Sequence, residues 1–146
     1  VKLPNPAGDL FIDPFNGGIA LTPEECAAKV HAIYGGAVEF QPFMLGAATR
    51  RQILARMAHN LKTIYAAGRQ HEKTLNMVEL LLILAPWDLD EIRDRGMLHY
   101  HLGNLSGAVS DLETYLEYSH EAEDVDAVRR NVRALRRLIH GGQPLV

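Results

Sequence analysis

A spacing of 34 residues constrains this chain more than any other feature. Setting Ala55 against Leu89 and moving forward aligns Ala58 with Ile92, Ile64 with Leu98, Leu75 with Val109, Val78 with Leu112, Glu79 with Glu113 and Leu82 with Leu116. Matched apolar positions at a fixed period mark one supersecondary unit written twice. Neither copy can bury its apolar face alone, so the copies must stack. Within each copy the apolar residues recur at steps of three and four, the period of a helix, with glycine between the two helical runs at Gly68 and at Gly103. The pattern predicts a mainly α fold in which residues 49–120 form two antiparallel helix pairs.

The helix boundaries follow from local chemistry. Thr49 with Gln52 makes a capping box, and Ile53, Met57, Leu61, Ile64 and Tyr65 follow as the inward stripe of the first helix. Gly68 breaks it. The partner helix, about 70–84, is apolar nearly all round in its second half through Leu80, Leu81, Leu82, Ile83 and Leu84, which predicts a central position. Pro86 ends it. Asp88 then stands as N-cap with Glu91 at the third helical position, and Trp87 and Ile92 are spaced to staple the entry. Gly96 in mid-helix costs about 1 kcal/mol relative to alanine, which predicts that a neighbouring helix approaches closely there. Gly103 ends this helix, and Leu105, Ala108, Val109, Leu112, Tyr115 and Leu116 form the inward stripe of its partner. Residues 121–146 read as a C-terminal capping helix and a frayed tail. Glu121, Glu123, Asp124 and Asp126 open that helix, and Val125, Val128, Val132, Leu135 and Ile139 make its apolar face. Arg129, Arg130, Arg133, Arg136 and Arg137 suit its later turns, where the helix dipole favours cations, and read as a solvated face rather than a phosphate site.

The first 48 residues follow another rule. Residues 1–3 and 9–13 read as short strands around the turn-forming Pro4-Asn5-Pro6-Ala7-Gly8, which predicts a β-hairpin. A lone hairpin is marginal in water, so residues 1–21 are expected to be the remnant of a larger domain, with the chain starting inside it. Asp13-Pro14-Phe15-Asn16-Gly17-Gly18 reads as a tight turn. Residues 22–48 read as a capping helix and linker. Thr22, Pro23 and Glu25 open a helix over 23–34 whose face carries Ala27, Val30 and Tyr34, and Gly35-Gly36 stops it. Cys26 beside that face is expected to be a small core residue, and residues 36–46 a linker with docked aromatics.

Composition excludes several classes of function. Fifteen Lys plus Arg against eighteen Asp plus Glu give a net charge of −3, without the overall positive field that draws a domain onto nucleic acid. No apolar run approaches the roughly 18 residues of a membrane span. One cysteine and no visible leader fit a cytoplasmic setting. Seven histidines invite a metal hypothesis, but the closest pair, His99 and His101, stand two apart and so about 200° apart on a helix, where metal pairs use three or four. No metal and no cofactor are expected.

Two resemblances add to this. Leu61, Tyr65 and Pro86 in the first copy, and Gly96, Ala108 and Leu112 in the second, resemble the tetratricopeptide pattern, with Ala58 and Ile92 in place of its tryptophan and Thr74 in place of its small alanine. The resemblance implies a right-handed superhelical repeat. Phe11-Ile12-Asp13-Pro14-Phe15-Asn16-Gly17-Gly18, the stretch from Arg56 through His59-Asn60-Leu61 to Tyr65, and Arg93-Asp94-Arg95-Gly96 with Asp111-Leu112-Glu113 are together similar to the SirB-type bacterial family, in which tetratricopeptide repeats follow a transglutaminase-like domain. By that resemblance Asp13 matches the acidic member of a catalytic triad whose cysteine and histidine would lie upstream. The tetratricopeptide arrangement implies that Arg56, His59, Asn60, Arg93, Met97, Tyr100 and His101 face a partner-binding groove; the same positions are also simply the exposed side of paired helices. Two functions stay open. One is a non-catalytic interaction module for a protein or peptide, including its own upstream transglutaminase-like domain. The other is the tail of a transglutaminase-like or peptidase-like enzyme retaining Asp13.

Overall fold

The computed structural model describes residues 1–3, 9–119 and 122–141. The predicted turn over residues 4–8, Glu121 and the tail 142–146 lie outside them. The chain divides into two compact units, Val1–Thr49 and Arg50–Val146.

In the first unit, β1 (Lys2–Leu3), β2 (Leu10–Asp13) and β3 (Ile19–Leu21) form an antiparallel sheet in the order β1-β2-β3, with Phe11 opposite both Lys2 and Leu21. The predicted hairpin is present, and a third strand that was not expected follows the tight turn read over residues 13–18. Gly17 and Gly18 take positive φ after the 3-10 turn Pro14–Asn16, so Ile19 returns opposite Asp13. A strand of three residues is too short for an alternation test. Helix α1 (Pro23–Tyr34) carries the predicted capping box: the Glu25 amide donates to Thr22 Oγ1 at 3.2 Å and the Thr22 amide to the Glu25 carboxylate at 2.7 Å. Gly35 closes it in the left-handed region. Cys26 is half-buried rather than a core residue, and burial raises its thiol pKa. The expected docking of linker aromatics fails at Phe43, whose 3-10 turn Pro42–Leu45 leaves the ring 76% exposed.

The second unit is a succession of helices joined by short loops: α2 (Arg50–Ala67), α3 (His71–Leu84), α4 (Leu89–His101), α5 (Leu105–Tyr118) and α6 (Val125–Gly141). Each packs on the next, as a helical repeat requires. One buried cluster joins Ala108, Leu112 and Tyr115 of α5 to Val125, Val128, Val132 and Leu135 of α6. A second joins Val78 and Leu82 of α3 to Ile92 and Leu98 of α4. Gly96 sits where predicted: a Cβ there would lie 2.9 Å from Leu112 Cγ and 3.2 Å from Asp111 Cβ. Thr74, in place of the small alanine, is buried with its hydroxyl donating to the Gln70 carbonyl at 3.0 Å.

Four local expectations are corrected. The stripe predicted to face inward from α2 is largely exposed at Ile53, Met57, Leu61 and Ile64, and Ala58 is the buried residue instead. The packed side of α2 is turned to α3, which leaves the neighbouring stripe uncovered. In the α3 run expected to be buried, Leu81 and Leu82 are, whereas Ile83 is 72% exposed. Trp87 does not staple Ile92; it stands exposed with its ring edge-on to Tyr118, while Ile92 enters the core. The break after α2 also differs in detail, because Arg69 rather than Gly68 takes the left-handed conformation, at φ 53°.

Candidate functional site: the face of the first helices

Glu91 organises the polar centre of the repeat unit. It was read as the third residue of a cap, and its amide does donate to Asp88 Oδ1 at 3.3 Å. Its carboxylate, only 4% exposed, turns instead to α2, where Lys62 Nζ donates to both oxygens at 2.8 and 2.7 Å. The same ammonium reaches Asp94 Oδ2 at 2.7 Å. Burial works against the charged Lys62, yet the bonds to Asp94 and Glu91 outweigh it and raise the lysine pKa. His59 Nδ1 stands 3.6 Å from Glu91. The first helices of consecutive pairs, α2 and α4, are thereby tied side by side.

Two residues on, Arg93 is bound from several sides. Its guanidinium donates to Asp94 Oδ1 at 3.1 and 3.3 Å, to Asp90 Oδ1 at 3.0 Å and to Asp124 Oδ2 at 2.9 Å, and it lies 5.6 Å from the centre of the Tyr115 ring. The Tyr115 hydroxyl donates to Asp124, which raises the phenol pKa and lowers that of the carboxyl. Arg93 thus ties α4 to the turn before α6. A parallel fork holds α4 to α5, where Arg95 grips the buried Asp111 at 2.8 and 2.7 Å.

Of the other residues expected in the groove, Arg56, His59 and Asn60 are exposed on α2, and Tyr100 and His101 are exposed at the end of α4. Met97 is half-buried against the α5–α6 cluster. His101 stacks on His71 with ring centres 4.7 Å apart, and Tyr100 tilts against it. His99 instead stands beside Asp111 and Asn104. Among the described residues no three His, Cys, Asp or Glu side chains gather as metal ligands would.

Reading the sequence alone missed α6 as part of this face, although the period carries the signal: 34 residues beyond Leu89 is Glu123, so α6 falls where a third first helix would stand. Between α4 and α6, over Leu112, lies a cleft of about 140 Å³ lined by Met97, Tyr100, Asn131, Ala134, Leu135 and Leu138.

In the first unit Asp13 caps the 3-10 turn. Its Oδ1 accepts from the Phe15 amide at 2.9 Å, and its Oδ2 accepts from Asn16 Nδ2 at 2.7 Å and Lys29 Nζ at 2.8 Å. The Lys29 bond first, and then the Asn16 bond, hold its carboxyl far below the usual carboxylate range.

This succession of paired helices is that of a tetratricopeptide protein, and the family described as tetratricopeptide repeat matches residues 61–133, half of the chain. The transglutaminase-like superfamily matches residues 1–59. Among curated proteins the chain is similar to the UPF0162 protein of Xylella fastidiosa (strain 9a5c), 36% identical over 132 residues, covering 88% of this chain and 47% of the relative. It is also similar to the protein SirB1 of Salmonella typhimurium, 29% identical over 125 residues, covering 86% and 46%. The chain spans about half the length of the curated relatives it matches. No solved structure matches it. The chain belongs to the SirB-type family of tetratricopeptide-repeat proteins with a transglutaminase-like part. No helix among the described residues is long and apolar enough to cross a membrane.

Proposed function

We propose that the repeat unit is a non-catalytic protein–protein interaction module. Its partner is a protein or peptide, foremost the transglutaminase-like part of its own protein. The face it uses carries Arg56, His59, Asn60, Met97, Tyr100 and His101, with Arg93 at its centre. The observation that carries this reading is the Lys62 bridge to Glu91 and Asp94. It fixes α2 against α4, so exposed polar and aromatic side chains stand on a rigid frame and lose little freedom on binding. The stripe of Ile53, Leu54, Met57, Leu61 and Ile64, exposed on α2, begins within the transglutaminase-like match, which runs to residue 59. That overlap favours a tethered neighbour, which binds at high effective concentration.

Catalysis by this chain has less support. Acyl transfer needs a nucleophile with a base in hydrogen-bond reach. The Asp13 oxygens accept from Lys29, Asn16 and the Phe15 amide, and the only cysteine has a raised pKa.

Calorimetric titration of the chain with the part of the Xylella fastidiosa relative that lies outside the matched 132 residues tests the reading. Binding is expected, weakened at least tenfold, about 1.4 kcal/mol, by Arg56→Glu with Asn60→Ala. Absence of binding, or an affinity unmoved in the folded variant, contradicts it. Transamidation of a glutamine peptide above an Asp13→Ala control would move the function to the enzyme reading.

A further inference from the structure

Trp87 and Tyr118 form an exposed aromatic pair at one end of the repeat unit. Their rings meet edge-on with centres 6.4 Å apart, and the two residues are 76% and 55% exposed. Arg93 Nη1 donates to both Asp90 and Asp124, so the start of α4 and the turn before α6 stand side by side at this end. Glu117 directly precedes Tyr118 and Glu123 directly precedes Asp124; both glutamates are exposed, with no ion-pair partner among the described residues. Single exposed apolar residues need no explanation, but two contacting rings beside unpaired carboxylates make a seat for a cation. Arginine suits it best, because its planar guanidinium stacks on a ring and pairs with a carboxylate at once.

The same chain carries the complement. Arg129 pairs with Asp126 at 2.9 Å and Arg136 with Glu113 at 2.7 Å, whereas Arg130, Arg133 and Arg137 are exposed with no ion-pair partner among the described residues. Steps of three and four set these three on one stripe of α6, on the side away from its buried Val128, Val132 and Leu135. The stripe runs away from the aromatic end, with Arg137 about 18 Å along the helix from Val125. Within one chain, stripe and seat therefore do not meet. We propose that a second copy of this chain docks here, the arginine stripe of one copy lying against the Trp87–Tyr118 pair and the Glu117 and Glu123 carboxylates of the next. Charge complementarity carries the choice of occupant: an unpaired cationic stripe and an unpaired anionic, aromatic seat lie on one molecule, so every copy presents what the other lacks. Tryptophan, tyrosine and arginine are also the residues that supply most binding energy at interfaces. The contact joins unlike patches, and each copy offers one of each. It leaves the first-helix face uncovered and so goes beyond the interaction-module reading.

Sedimentation equilibrium of the full chain tests this. The parent should gain weight-average mass as its concentration rises from about 10 μM to about 1 mM, the span over which a contact of modest affinity fills. The gain should vanish in the seat variant, Trp87→Ala with Tyr118→Ala, and in the stripe variant, Arg130→Glu with Arg137→Glu. Mixing the two variants in equal amounts should then restore a complex of two chains, because the intact stripe of the first meets the intact seat of the second. Circular dichroism checks each fold, and Glu117→Lys with Glu123→Lys reads the same seat should the aromatic variant misfold. A parent that keeps the mass of one chain at the upper concentration overturns the inference. Association that neither variant moves, or variants that stay apart on mixing, overturn it as well. All these changes lie outside the first-helix face, so each of those outcomes leaves the interaction-module reading to its own calorimetric test.

Discussion

Glu91 and Lys62 show what a single residue contributes and why one of them was hard to foresee. A glutamate three places after Asp88 has a strong local meaning as a cap, and that meaning concealed its carboxylate's real partner. Lys62 lies on the previous first helix, and no local period pairs residues 29 positions apart. Removing the lysine leaves a carboxylate buried and unpaired, a change that costs about 3 kcal/mol or more. Lys62→Met should lower the urea midpoint accordingly, and the double variant Lys62→Met with Glu91→Met should recover most of the loss. Equal stability of the single variant and the parent would show that the bridge is cosmetic. Asp13 offers a titration in place of a mutation. Its folded pKa lies below the ordinary value of about 3.9, so its contribution to stability is complete above about pH 4 and drains away as the pH falls toward the folded value. Carboxyl carbon NMR should find Asp13 still ionised at about pH 3, and Lys29→Met should move its midpoint upward. A midpoint at the ordinary value in the parent chain would remove Lys29 from the account.

Among the elements, the pairs α2–α3 and α4–α5 and the final α6 were all legible, because each carries a long apolar period between recognisable breaks. Gly96 was legible for the same reason: a glycine inside a strong helical pattern has few uses other than a close approach, here to Leu112. What could not be read was how many neighbours each helix has. Periodicity identifies an apolar stripe but not what covers it, so the stripe of α2 and Ile83 of α3 were expected inside and are exposed. The third strand escaped because three residues give alternation no room. α6 illustrates the opposite case, since Val125, Val128, Val132 and Leu135 meet Ala108, Leu112 and Tyr115 as their pattern predicts. It should act as a cap, because two helix pairs are fewer than the about three repeats that stacked arrays usually need. A chain ending before Val125 should expose Leu112 and Tyr115, melt at a lower temperature and self-associate in sedimentation. An unchanged melting temperature with a monomeric chain would show that α6 caps nothing.

At the scale of the whole molecule, a period of 34 residues accounts for the architecture and for where a partner is proposed to lie. The first helices, α2 and α4, are joined by Lys62, and α6 is joined to α4 through Arg93 and Asp124. The groove residues on α2 and α4 were expected from a resemblance rather than from composition, and they stand as a proposal. The α6 side was missed because a helix with an apolar face and a basic outer side already has a sufficient local meaning as a cap, and its link to α4 through Arg93 and Asp124 follows no local period. In the second unit the buried polar groups bond to one another, and the first-helix face is the one proposed for a partner. The most direct test is the footprint of that partner. NMR spectra of the chain should be followed while the part of the Xylella fastidiosa relative outside the matched 132 residues is added. The account predicts shifts at Arg56, His59, Asn60, Tyr100 and His101, with Thr114 and Glu117 on α5 unmoved. Shifts confined to Asp126, Arg129 and Arg136, with the first-helix face silent, would contradict it.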